Sequence, residues 1–230
     1  MPKLKVSVAT MCRNEEKIIP YFIHHYAGMV DEIILIDNQS TDNTAQIAHD
    51  MCKSLNQKLI YKELPSEGFS DLMKLQLFRS IQKNILKTDS DWYILVDSDE
   101  LIYHKSGKIK DSIEVSHLKG FMFIKPTGYQ MSESSFPAYS GKKITDTCKM
   151  GCKDKGFDKP VIVHKDLDWA PRLGCHLAEG YYKGEERKPD DDSGLLLLHY
   201  KFLGFEHRLD RKSTRLNSSH EWISRMPSSA

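Results

Sequence analysis

The sequence predicts an α/β protein built on a mixed, mostly parallel sheet flanked by helices. Two observations carry this expectation. Short runs rich in Val, Ile, Leu and Tyr recur through the first half of the chain, apolar at nearly every position, as strands covered on both faces require. Between them lie longer segments whose apolar residues fall three and four apart, the spacing of one helix face. Strand and helix alternating in this way imply right-handed crossovers and parallel pairing.

Taken in order, residues 5–11 (KVSVATM) predict the first strand. CRNEE leads into a helix over residues 17–29, where Ile18, Ile19, Phe22, Ile23 and Tyr26 share a face and Gly28 marks the end. Residues 32–37 (EIILID) predict the second strand. The NQSTDNT that follows is rich in side chains that bond nearby backbone amides, which suits a turn capping a second helix over residues 45–55. A third strand is predicted over residues 58–64, a third helix over 71–86 and a fourth strand over 91–97 (DWYILVD). Beyond Leu101 the rhythm breaks. Residues 120–126 and 159–165 read as strands around a loop-rich stretch. Residues 195–204 (LLLLHYKFLG) are helix or strand by periodicity alone, and residues 174–180 (GCHLAEG) read as a flexible loop.

At 230 residues, 40% hydrophobic and 28% charged, the chain suits one large domain, with residues 1–104 and 105–209 as its two halves. A net charge of +1 gives no electrostatic basis for a nucleic-acid or anionic-membrane partner. No apolar run approaches the ~20 residues of a membrane-spanning helix, and the N-terminus runs straight into strand-like sequence, so a cytoplasmic setting is expected. The five cysteines are odd in number and irregularly spaced, which favours reduced thiols over a disulfide framework. Cys148, Cys152 and Cys175, with His176, lack the tight pairing of a zinc site.

Ligands of open α/β sheets bind beyond the carboxyl ends of the strands. Asp37 closes the second predicted strand and Asp97 the fourth, with Asp99 and Glu100 just after. Asp37 has the chemistry to accept hydrogen bonds from a ribose or base. Three acids in four residues repel one another at the mouth of a buried strand, so a compensating cation is expected there. A hard divalent ion takes oxygen ligands and shares substrate phosphates. Ser40, Thr41 and Asp42 read as turn and cap, and His24 and His25 as helix packing and surface.

VATMCRNEEKIIPYFIHHYAGMVDEIILIDNQSTDNT followed by WYILVDSDELIYH resembles the family-2-like glycosyltransferases of the GT-A fold, in the branch with RNE, a His-rich first helix, DN-x-STD and D-x-DE. The likeness covers residues 4–104 closely and 120–204 loosely. It implies a GT-A-type, Rossmann-like sheet, a nucleoside-diphosphate sugar donor linked to UDP or GDP, a glycan or similar hydroxyl acceptor, and Mn2+ or Mg2+. It also implies that Thr10, Arg13, Asn14 and Glu15 line the nucleotide pocket, although Glu15 equally suits a helix first turn. Asp37 would contact the nucleoside. Asp97 and Asp99 would bracket the diphosphate, with Asp99 the better metal ligand and His199 completing the metal site. His199 in its apolar run equally suits a core histidine. His176 and Glu179 would face the acceptor. An inverting transfer needs a carboxylate to deprotonate the acceptor hydroxyl, and Asp166, Asp168 and Glu179 are the candidates.

Two rivals remain at this level. A sugar-nucleotide nucleotidyltransferase shares the sheet and metal logic, but CRNEE lacks the Gly-rich, basic loop it would need. A non-catalytic relic that only binds nucleotide sugar or glycan is the other. Residues 210–230 resemble a translated sequencing adaptor and are expected to be a non-native tail, with the natural chain continuing differently. Oligomeric state has no signal in the sequence.

Overall fold

In a computed structural model that describes residues 3–64 and 70–204, the apolar runs become strands of one central sheet. The tail over residues 210–230 lies outside the described residues. β1 (Val6–Cys12) and β2 (Glu32–Asp37) are buried along their whole length, as layers on both faces demand. Between them α1 (Ile19–Tyr26) is shorter than the periodicity predicts; Pro20 sits in its first turn, where its missing N–H costs nothing. α2 (Thr44–Ser54) leads to β3 (Lys58–Glu63), a partly exposed strand at the sheet edge. α3 (Asp71–Gln82) is capped by Ser70, whose Oγ accepts the Met73 N–H at 3.1 Å. It ends earlier than predicted because Asn84 and Lys87 turn the chain through left-handed conformations, φ 61° and 52°. β4 (Trp92–Leu95) is fully buried.

The second half is richer in strands than the sequence suggests. β5 (Glu100–Tyr103) follows β4 directly, then come α4 (Ile109–Leu118), β6 (Phe123–Ile124), β7 (Thr127–Glu133), the one-turn α5 (Ile144–Thr147) and β8 (Gly151–Lys153). A 3-10 turn (Lys155–Phe157) precedes β9 (Ile162–His164) and β10 (Asp168–Pro171). A second 3-10 turn (Leu173–Cys175) precedes β11 (Ala178–Tyr182), β12 (Glu185–Arg187) and β13 (Leu196–Leu203).

The central sheet has the order β3-β2-β1-β4-β9-β6, parallel from β3 to β4 and with β9 antiparallel to both its neighbours. It is the mixed, mostly parallel sheet expected. A second sheet, β5-β13-β7-β8, and a small antiparallel one, β10-β11-β12, complete the fold. The ambiguous run at residues 195–204 is a strand because β5 and β7 pair with it on both sides. The expected flexible loop at residues 174–180 is instead a 3-10 turn entering β11, held by ladders to β10 and β12. All five cysteines are unpaired. Among the described residues, no helix is long and apolar enough to cross a membrane.

Candidate active site

The carboxyl ends of β1 and β2 lie side by side, Cys12 opposite Asp37, and the loops beyond them are stitched together by side chains. Asn14, at φ 54°, accepts the Thr41 N–H on Oδ1 at 2.8 Å, and its own N–H donates to Ser40 Oγ at 2.9 Å. The Glu15 N–H donates to Thr44 Oγ1 and the Glu16 N–H to Asp42. Asp42 Oδ1 accepts from the Thr44 N–H and hydroxyl, so the capping role expected of this segment rests on Asp42. Glu15 precedes α1 and accepts the Ile18 and Ile19 N–H groups on its carbonyl, so it is not a first-turn acid of that helix. Asp37 is buried, and its carboxylate accepts from Tyr61 Oη at 2.6 Å, Ser40 N at 2.9 Å and Ser40 Oγ at 2.6 Å. Arg13 is half-buried beside this seam. Thr10 is fully buried within β1 and its hydroxyl has no partner among the described residues, so it lies beneath this edge rather than lining it.

The acidic turn after β4 is built differently from the sequence expectation. Lys74, on the buried face of α3, sets Nζ 2.7 Å from Asp97 Oδ1. Lys159, just before β9, pairs with Glu100, and both are almost wholly buried. Glu100 Oε2 also accepts the Asp97 N–H at 3.2 Å, which closes the turn on itself. Two lysines therefore supply the cations that the clustered acids need, and charge repulsion alone does not call for a metal ion. Burial opposes the charge on Asp97, but Lys74 and Lys159 outweigh it and hold its carboxyl below the ordinary range. Lys74 is held above the ordinary lysine range: burial pulls it down, and Asp97 more than offsets this. Cys175 is tucked against the same charges, and burial pushes its thiol up to about 12.

Asp99 occupies the other side of this turn. β13 runs antiparallel to β5 with His199 opposite Glu100, and the Tyr200 N–H donates to the Asp99 carbonyl at 2.8 Å. That register brings His199 Nε2 to 3.6 Å from Asp99 Oδ2, with both side chains nearly buried. His199 Nδ1 is buried without a hydrogen-bond partner among the described residues. Phe157 packs against the His199 ring at 4.4 Å between centroids and against His176 at 5.4 Å. The exposed His176 also bonds the Gly156 carbonyl through Nδ1.

No group of three or more His, Cys, Asp or Glu among the described residues is arranged to hold a metal ion. Asp99 and His199 nevertheless fit a divalent ion whose remaining ligands come from a bound diphosphate, since such ions often take few protein ligands and share substrate oxygens.

The structure separates two of the base candidates from this turn. β9 runs against β4, with Trp92 opposite His164 and Ile94 opposite Ile162. Asp166, just past His164, thus lies at the amino end of β4, roughly 16 Å of strand from Asp97. Asp168 faces Arg79 and Lys83 at 3.8 Å, on the α3 turns leading away from Lys74. Neither sits at the carboxyl edge. Glu179, on β11, accepts from Arg172 at 3.3 Å and Tyr181 at 3.2 Å on the exposed flank that follows His176.

Residues 7–108 match the family model described as Glycosyl transferase family 2. Over these residues the chain is similar to glycosyl transferase family 2. An uncharacterized glycosyltransferase of Rickettsia typhi is 30% identical over 114 residues, 48% of this chain and 32% of that protein. The chain thus spans about a third of the length of that curated relative. Among solved structures, Staphylococcus aureus TarS 1-349 in complex with UDP is 22% identical, with a TM-score of 0.41 over 54% of this chain and 36% of that one. Glucosyl-3-phosphoglycerate synthase from Mycobacterium tuberculosis, in complex with Mn2+, UDP-glucose and phosphoglyceric acid, is 19% identical, with a TM-score of 0.34 over 54% and 44%. The family 2 match ends shortly after the acidic turn, so it takes in Asp37, Lys74, Asp97 and Asp99. Lys159, His176, Glu179 and His199 come from the chain beyond it.

Proposed function

We propose that this protein transfers a sugar from a UDP- or GDP-linked donor to a hydroxyl of a glycan or similar acceptor, with inversion, using Mn2+ or Mg2+ at Asp99 and His199. The observation that carries this reading is the meeting of Asp99 with His199 at 3.6 Å, beside the buried Lys74–Asp97 pair, at the carboxyl edge of a mostly parallel sheet. Residues 1–104 serve as the donor half and 105–209 as the acceptor half, and His199 joins the two.

A divalent ion, when bound, supplies positive charge against the diphosphate leaving group. The chain's own residues bind and orient the donor. Asp37 is fixed by Tyr61 and Ser40 yet keeps lone-pair capacity for a ribose or base, since a carboxylate offers about four acceptor sites. Arg13 and Asn14 border the same edge. Lys74 holds Asp97 ionised beside the diphosphate position. Glu179 is the base candidate on the exposed flank beyond His176, where Arg172 and Tyr181 donate to its carboxylate and orient it.

Thermal unfolding with UDP or GDP, with and without Mn2+, tests the reading. One nucleotide should raise the midpoint further when Mn2+ is present, and Asp99→Ala should lose that metal-dependent increment. A shift indifferent to Mn2+ for both nucleotides, or one unchanged in Asp99→Ala, contradicts it.

A further inference from the structure

Lys159 has no part in the donor contacts described above, yet it touches both sides of the proposed metal site. Its ammonium pairs with Glu100, whose other oxygen holds the Asp97 N–H. It also lies 5.4 Å from the centroid of Phe157, the ring packed on His199. Phe157 is itself fixed from behind. Gly128 on β7 lies so close to it that an added Cβ would meet the Phe157 carbonyl carbon at 2.3 Å, and the Gly128 N–H donates to Asp158 at 2.7 Å. The β5–β13 ladder brings the Asp99 turn and His199 together along the backbone, and the spacing between the acidic turn and the Phe157 turn then bears on how closely their side chains approach. A single buried cation bridges those two turns.

We propose that Lys159 is a positioning residue, which sets the distance between Asp99 and His199 by tying the Glu100-braced turn to the ring that backs His199. The inference rests on the proposed metal-dependent function, and it assigns Lys159 no contact with metal or substrate. The side chain must be both charged, to meet Glu100, and long enough to reach the Phe157 face. Arginine meets both requirements and methionine meets one.

The test separates positioning from mere charge balance. Lys159→Met leaves Glu100 buried without its cation and should lower thermal stability, so the decisive variant is Lys159→Met combined with Glu100→Gln, which removes both charges together. The readout is the Mn2+ concentration giving half of the metal-dependent UDP or GDP stabilisation, measured by thermal unfolding. The double variant should regain most of the lost stability but need about tenfold more Mn2+, the usual scale for residues that orient metal ligands. Lys159→Arg should stay near the unaltered chain. A double variant with an unaltered Mn2+ requirement overturns the inference and reduces Lys159 to a counter-ion. An unaltered chain with no Mn2+-dependent stabilisation overturns instead the function on which the inference rests.

Discussion

Lys74 stands on the same face of α3 as Leu75, Phe78 and Ile81, where helical periodicity asks for an apolar side chain. A charge in that register is a signal the sequence contained, and its meaning came only from Asp97, 23 residues later. The same holds for Lys159 and Glu100, 59 apart. The acids were legible as a cluster; their partners were not, because ion pairing across crossovers leaves no local spacing. Lys74→Met should cost about 2–4 kcal/mol, less than the loss of a fully enclosed pair, because Asp97 is 24% exposed. Urea unfolding at neutral pH measures it. The sign with pH follows from the two shifts. Asp97 is held below the ordinary carboxylate range, so the pair's contribution is present above that range and is lost as pH falls through the lowered value. Lys74 is held above the ordinary lysine range, so the contribution persists to alkaline pH. The difference between the unaltered chain and Lys74→Met should therefore be flat around neutrality and shrink in acid.

At the scale of elements, β1, β2 and β4 were legible because an uninterrupted apolar run has one stable place in an α/β fold, covered on both faces. β5, β7 and β8 were not, since β5 and β8 are too short to show a period and β7 alternates buried and open positions irregularly. α1 shows how a residue read as packing does its work. His25 is buried against β5, with Nε2 2.7 Å from the Ile102 carbonyl, and burial pulls its pKa down to about 4. Between the ordinary value of 6.5 and about 4 the unfolded chain binds a proton that the native state refuses, so stability falls as pH drops through that window. The slope from this group should approach 1.4 kcal/mol per pH unit, and His25→Gln should flatten it in urea titrations at stepped pH. β7 makes a second prediction. Gly128→Ala forces the Phe157 turn to move and should destabilise by about 1–3 kcal/mol in the same assay. The Mn2+ requirement should rise with it, because Phe157 backs His199.

Across the whole molecule, the mostly parallel sheet and its carboxyl-edge site could be anticipated from alternation alone, whereas strand direction could not. A run such as residues 159–165 reads the same forwards and backwards. The reversed β9 is what carried Asp166 to the far edge of the sheet, and Asp168 follows it there. The register of β13 on β5 did the opposite for His199 and delivered it to Asp99. In the proposed function this pair supplies a metal with only part of its ligands, and a bound diphosphate supplies the rest. Electron paramagnetic resonance of Mn2+ in the presence of the protein tests it most directly. Little Mn2+ should bind to the protein alone, binding should be clear once UDP or GDP is added, and that binding should be lost in Asp99→Asn. Equal binding without nucleotide, or nucleotide-dependent binding that survives in Asp99→Asn, would contradict it.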